Sequence, residues 1–191
     1  KFIIPTEEKG KLKAIAFQNE EKFNFAFDIV DELGRNKPEK LAMLHISEDG
    51  TERRFTFQDM KKESARAANY FKSLGIKRGD RVMLVLKRHY QFWFAILGLH
   101  KLGAVAIPAT NQLVEKDFTY RFNAAGVSAV VCTADGDTAH QMELAEQVTG
   151  MNLTKVIVNG NREGWHNYDE EYGLFSRRYT RTEDAPCGSD P

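Results

Sequence analysis

Cysteine is scarce in this sequence: Cys132 and Cys187 are the two thiols in 191 residues. They make no disulfide framework, and neither has Cys or His neighbours at zinc-ligand spacing. Such thiol usage fits a reducing compartment, so a cytoplasmic chain is expected. Net charge is missing as well, since 27 Lys+Arg balance 27 Asp+Glu. Nothing therefore draws the whole chain to nucleic acid or to an anionic membrane surface. The longest apolar stretch, Phe92–Leu99, is far short of the ~20 residues that span a bilayer, so no transmembrane segment is expected. Lys1–Pro5 is too short for a signal-peptide core, and charges interrupt the residues after it. The histidines His45, His89, His100, His140 and His166 are scattered, with no H-x-x-x-H or H-E-x-x-H spacing, so no metal site is expected. His100, within an apolar stretch, reads as a hydrogen-bonded core residue. Phosphate cradles are absent too. No G-x-G-x-x-G follows a strand, no G-x-x-x-x-G-K-[ST] occurs, and no G-x-S-x-G elbow exists. A dinucleotide-binding oxidoreductase and a serine hydrolase both lose their expected signatures.

What is present is ordinary globular composition, 42% hydrophobic and 28% charged. Leu41–Ile46, the turn Glu48-Asp49-Gly50 and Glu52–Phe57 read as a β-hairpin. Beyond it a pattern repeats, in which a helix ends on a glycine and leads into an apolar strand. Helix Gln58–Leu74, with Thr56 as N-cap and Gly75 after its end, precedes strand Arg81–Leu86. Helix Tyr90–Leu102 and Gly103 precede strand Ala104–Ala109. Helix Glu115–Ala125 and Gly126 precede strand Val127–Thr133. Helix Asp137–Thr149 and Gly150 precede strand Lys155–Val158. Strands this apolar, joined by helices of a dozen residues, specify an α/β fold. The expectation is a doubly wound, mainly parallel sheet with helices on both faces, plus the β-hairpin. Three regions are delimited: 1–27, an irregular or helical N-terminal extension; 28–158, the α/β unit; and 159–191, a polar connecting segment.

Candidate chemistry is sparse. Asp135-Gly136-Asp137 follows a strand, where α/β folds place ligands, but lacks the further oxygen ligands and closing Glu of a calcium loop. It reads as a strand-end turn with a helix N-cap. Arg177, Arg178 and Arg181, interleaved with Tyr179, read as a solvated loop, with a phosphate contact as the alternative. Phe92-Trp93-Phe94 reads as a helix packed into the core.

A family likeness rests on residues in order. Phe55-Thr56-Phe57-Gln58, then Ala65–Leu74, then Gly75-Ile76-Lys77-Arg78-Gly79-Asp80-Arg81-Val82 resembles the opening of AMP-forming acyl-CoA synthetases, whose helix runs into "LGI-x-x-GDRV". Leu99-x-x-Leu102-Gly103-Ala104-Val105-x-x-Pro108 is similar to the same family's "G-A-V-x-x-P" strand. Ala109-Thr110-Asn111-Gln112-Leu113, and Gly164-Trp165 followed by Asp169-Glu170-Glu171, resemble the medium-chain branch. The likeness covers roughly residues 25–185.

The resemblance implies a parent enzyme that activates a fatty or other carboxylic acid with Mg-ATP and passes the acyl group to coenzyme A. ATP, Mg2+ and coenzyme A are thus implied as its cofactors, and the remainder of the synthetase chain as this segment's partner. The family's Ser/Thr/Gly-rich phosphate loop begins a few residues beyond the position of Pro191. No catalytic residue therefore transfers to this sequence, no cofactor is expected to bind it tightly, and the segment alone is expected to be inactive. Thr110, Asn111 and Gln112 match a loop that approaches the coenzyme A tunnel. Acetate-specific relatives carry arginines after the counterpart of Thr133-Ala134-Asp135. Asp137–Met142 offers only His140, which disfavours acetate. A stand-alone α/β binding or partner-docking module is the alternative reading. A segment cut from a larger sheet is expected to self-associate through exposed sheet edges.

Overall fold

In the computed structural model, which describes residues 2–183, 185–188 and 190, four short apolar strands and a two-residue polar one line up in parallel, with two helices on each face. The chain opens with β1 (Ile3–Glu8) and β2 (Lys11–Phe17). A π-helical turn, Ala26–Asp31, runs into α1 (Glu32–Asn36), followed by the hairpin β3 (Leu41–Ile46) and β4 (Glu52–Thr56). Then come α2 (Phe57–Ser73), β5 (Arg81–Val85), α3 (Gln91–Leu102), β6 (Val105–Pro108), α4 (Glu115–Ala125), β7 (Ala129–Thr133), α5 (Thr138–Thr149) and β8 (Thr154–Val158). The last elements are β9 (His166–Asn167), α6 (Tyr168–Glu171) and a 3-10 turn, Tyr172–Leu174. The main sheet has the order β6-β5-β7-β8-β9, and each neighbouring pair is parallel.

The pleat sorts the strand residues onto two faces. Val82, Leu84, Val131, Val156 and Val158 pack with Phe71 of α2 and with Phe94 and Leu97 of α3. Met83, Val85, Val130, Cys132 and Ile157 pack with Phe118 and Phe122 of α4 and with Met142 of α5. A strand buried on both faces has no polar alternation, which is why these segments read as continuous apolar runs. Pro108 stands on β6, an edge strand, where its missing N–H does no harm.

The helix ends follow their local chemistry. Thr56 Oγ1 accepts the Asp59 N–H at 3.2 Å while Asp59 Oδ2 accepts the Thr56 N–H at 2.9 Å, a reciprocal capping box on α2. Gly103 closes α3 at φ +78°, and a Cβ there would meet Arg78 and Pro186 carbons at 2.9 Å. Where α2 crosses α3, Gly98 lies so close that an added Cβ would be 2.8 Å from Ala67 Cβ and 2.9 Å from Ala68 N. Beneath that crossing, Lys101 Nζ meets Asp31 Oδ1 at 2.9 Å, with side chains 0% and 5% exposed.

Two expectations about the chain ends need correction. Ile3–Phe17 is an antiparallel hairpin rather than irregular helix, turning at Lys9 and Gly10, both with positive φ. That pair of positive φ values suits a tight two-residue hairpin turn. From residue 159 on, the described residues include packed ones and are not merely connecting. β9 adds a fifth strand, Trp165 and Tyr168 are buried, and Asn24 Nδ2 donates to Pro186 O at 3.0 Å. Elsewhere the expected helices and strands stand within about two residues of their predicted ends.

Glu143 of α5 ties this last segment to the sheet's α4–α5 side. Its carboxylate accepts a two-pronged bond from Arg162, both arms 2.6 Å, and the Trp165 indole N–H at 2.7 Å. The Arg162 bonds, helped by Trp165, hold the Glu143 carboxyl below its ordinary 4.5. A carboxyl depressed in the folded state contributes stability above its unfolded value and loses it as pH falls through its native value. Glu143→Gln is therefore expected to lower stability by about 1 kcal/mol at pH 7, the group being partly exposed. The gap from the parent should narrow as pH falls below 4.5. Chemical denaturation at pH 7 and pH 3.5 checks it; an unchanged gap refutes the linkage.

Candidate functional site at the strand ends

All five strands point the same way, so their carboxyl ends share one edge of the sheet. The chain lays β6 on one side of β5 and then returns to lay β7 on the other. In open α/β sheets that reversal leaves a crevice beyond the strand ends, where ligands bind. Here the crevice is a cleft of ≈ 1020 Å³. Its floor is the stretch after each strand: Lys87 and Arg88 after β5, Ala109–Asn111 after β6, Asp135 after β7 and Asn159 after β8. The β3–β4 turn, from His45 to Asp49, forms one wall.

Local geometry explains why these residues face the cleft. Lys87 and Asn159 both take left-handed backbone, φ 49° and 59°, turning the chain sharply out of the sheet. Non-glycine residues hold that conformation at some cost, and it concentrates at functional sites. Lys87 Nζ donates to Asp135 Oδ2, which joins the ends of β5 and β7 across the reversal point. That bond, with Thr133 assisting, holds the Asp135 carboxyl below the ordinary range. Asn159 is fixed on three sides. Gln91 Nε2 donates to its Oδ1 at 3.0 Å, its N–H donates to Asp169 Oδ2 at 2.6 Å, and its amide nitrogen lies 3.3 Å from His89 Nδ1. Burial, together with the Arg53 cation, pushes the His45 imidazole down, so the cleft wall carries a neutral ring at pH 7.

Thr110 and Asn111 of the expected coenzyme A-side loop line this cleft; Gln112 is exposed and outside its lining. Thr110 Oγ1 accepts the Gln112 N–H at 3.3 Å, so the loop folds back on itself with Asn111 in the cleft lining. Asp135 joins the cleft, whereas Asp137 turns away to bond Gln141 Nε2 at 2.7 Å. Asp137 heads α5 but makes no side-chain cap bond, unlike the expected N-cap. His140 is exposed on α5. For His100 the carbonyl, not the ring, takes a bond, from Asn24 Nδ2 at 2.9 Å, and burial holds the ring neutral. Phe94 is core, as expected, but Trp93 is 51% exposed and stacks edge-on against Phe92. Lys87, His89 and Asn159 were not singled out from the sequence. Their signal was faint: each polar group stands within a few residues of the end of an apolar run.

Among the described residues, no three His, Cys, Asp or Glu side chains gather as a metal site. The cleft is polar with charge of both signs: at its floor Arg88 stands beside Thr110 and Asn111 and Lys87 is paired with Asp135, while Glu48 and Asp49 stand on its wall. Among the described residues no helix is long and apolar enough to cross a membrane.

Comparison with known proteins bears on the family and the fold. Acyl-coenzyme A synthetase ACSM5, mitochondrial, of Rattus norvegicus is 34% identical over 156 residues, covering 78% of this chain and 27% of that protein. Acyl-coenzyme A synthetase ACSM3, mitochondrial, of Homo sapiens is 31% identical over 156 residues, again covering 78% of this chain and 26% of the relative. The chain thus spans about a quarter of the length of the curated relatives it matches. A crystal structure of Brucella canis acyl-CoA synthetase superposes with TM-score 0.75 at 25% identity, covering 92% of this chain and 31% of that one. The AMP-binding enzyme family model matches residues 30–187. On that match, which takes in every strand of the main sheet, this chain belongs to the AMP-binding enzyme family.

Proposed function

We propose that this chain is the N-terminal part of an AMP-forming acyl-CoA synthetase acting on a carboxylic acid, of the medium-chain type, and that the strand-end cleft is its coenzyme A side. The carrying observation is the Thr110–Asn111 loop beside Lys87 and Arg88 at the sheet's reversal point. The reaction is an attack by a carboxylate oxygen on the α-phosphorus of ATP, expelling pyrophosphate. The coenzyme A thiol then displaces AMP from the acyl-adenylate. Charge developing at phosphorus needs donors and a metal that come from outside this segment. In this reading the segment supplies a wall and the Arg88 guanidinium for the incoming thiol carrier. Alone it makes no acyl-adenylate. The two free cysteines, Cys132 and Cys187, support the cytoplasm as its location.

The stand-alone reading has one specific support. The sheet's two edge strands, β6 and β9, are 4 and 2 residues long, and short edges resist pairing with other chains. ATP–pyrophosphate exchange separates the readings when combined with sedimentation. The segment alone is expected to be silent in exchange, and robust exchange would overturn the fragment reading. Self-association through the edges is expected of a fragment, and a cooperatively melting monomer favours the module. In the full-length protein, Asn111→Ala is expected to raise KM for coenzyme A about tenfold with exchange unchanged. No change in that KM would remove the loop from the site.

A further inference from the structure

The molecule is neutral overall, yet one cleft is not. It lies between α1, α2 and the strap 177–181, and it shares no lining residue with the strand-end cleft. Arg35, Lys61, Lys62, Lys101 and the strap's three arginines surround ≈ 500 Å³. The carboxylate in that lining is Asp31, and it is already bound to Lys101 at 2.9 Å. Arg35, Arg177 and Arg181 reach carboxylates at the cleft's margins: Glu32 at 2.9 Å, Glu63 at 3.0 Å and Asp28 at 2.9 Å. Lys62 donates to the neutral Gln58 amide at 2.8 Å. Among the described residues, Lys61, Lys62 and Arg178 make no direct ion pair with a carboxylate, although Lys61 lies near enough to Asp31 to feel its charge.

The cations are held there by the fold. Asn69 of α2 donates to the carbonyls of Ser176 and Arg178 at 2.8 and 2.9 Å, which pins the strap's backbone along the helix. Arg66 Nε adds a bond to Phe175 O at 3.3 Å. Like charges gathered around a concave, protein-walled space repel one another and focus a positive potential into it. An anion relieves that repulsion. Ammonium groups and a guanidinium fork together suit phosphate oxygens, and a volume of ≈ 500 Å³ fits a small molecule better than a bare ion.

We propose that this cleft binds a small soluble anion carrying two or more phosphate charges, with Lys61, Lys62 and Arg178 as the recognising groups. The proposal uses no residue of the strand-end cleft and stands apart from the synthetase reading. Inorganic pyrophosphate is the probe, titrated calorimetrically into this chain at low salt. Saturable one-site binding is expected, weakening as salt rises. The paired variant Lys61→Gln with Arg178→Gln is expected to weaken it at least about tenfold, while Arg54→Gln, exposed on β4, leaves it unchanged. Should the paired variant melt early, Arg178→Gln alone carries the test with an expected loss of about threefold, since Arg178 is exposed. No binding up to about 10 mM would overturn the proposal, as would equal binding in parent and variants. Sedimentation with phosphatidylglycerol vesicles in the absence of pyrophosphate binding would overturn it in favour of a lipid surface.

Discussion

Replacing Asp31 with Ala is expected to destabilise the fold by about 3–5 kcal/mol. Lys101 sits at the C-terminal end of α3 with its side chain 0% exposed. Around its ammonium lie Asp31 Oδ1 at 2.9 Å, Lys61 O at 3.4 Å and the Phe27 ring at 5.6 Å. Without Asp31 the ammonium keeps one long carbonyl contact and an aromatic face, far less than water supplied before burial. Burial already pushes the Lys101 ammonium pKa down and the Asp31 carboxyl pKa up, each opposed by its partner's charge. A loss near 4 kcal/mol lowers the melting temperature of a domain this size by roughly 10 °C. The paired change Asp31→Leu with Lys101→Met removes both charges and is expected to return most of that stability, because a packed apolar pair avoids desolvation. Thermal melts of D31A, K101M and the paired variant decide it. A mild D31A, within about 1 kcal/mol of the parent, would mean that water reaches Lys101.

Gly98→Leu comes next in expected size. Alanine at that position would gain about 1 kcal/mol of helix propensity and lose a comparable amount or more to a Cβ 2.8 Å from Ala67 Cβ and 2.9 Å from Ala68 N. Leucine keeps the propensity but adds three carbons aimed at a helix backbone, which cannot turn aside as a side-chain tip can. Overpacking of this kind costs about 1–3 kcal/mol, and more where backbone must move. We expect Gly98→Leu to cost at least about 3 kcal/mol and Gly98→Ala about 1 kcal/mol net. Urea denaturation of both checks the order. If the leucine variant matches the alanine one, α2 and α3 part readily and their spacing is not fixed by Gly98.

Much of the main sheet was legible because two local signals coincide at every joint. Gly75, Gly103, Gly126 and Gly150 each stand after a helix with positive φ, and each is followed by an apolar strand, doubly buried in β5 and β7 and half-buried at the edge strand β6. The β1–β2 hairpin was not legible for the opposite reason. All its residues are exposed, so no buried face imposes alternation, and a Lys-Gly turn is a weaker signal than Asn-Gly. The strand-end site was half legible. Family likeness pointed to Thr110 and Asn111, but the Lys87–Asp135 bond spans 48 residues of sequence and exists only once β5 and β7 are neighbours. Lys101 was hidden for a similar reason. A lysine near a helix C-terminus reads as a favourable solvated cation, and only the folded chain brings Asp31 to it.

The contacts of the final segment have a consequence for the order in which the chain acquires its structure. Asn24 and Pro186 are 162 residues apart in sequence, and Arg181 and Asp28 are 153 apart. During synthesis at about 5–20 residues per second, the turn at Asn24–Asp31 emerges many seconds before the partners that finish it. The sheet from β5 to β8 can assemble meanwhile from neighbouring segments. The Asn24–Asp31 turn, by contrast, must stay incomplete until the far end of the chain returns to it, and closures over such distances are slow. Amide protection at Asn24–Asp31 should therefore be among the last to appear in pulse-labelled refolding.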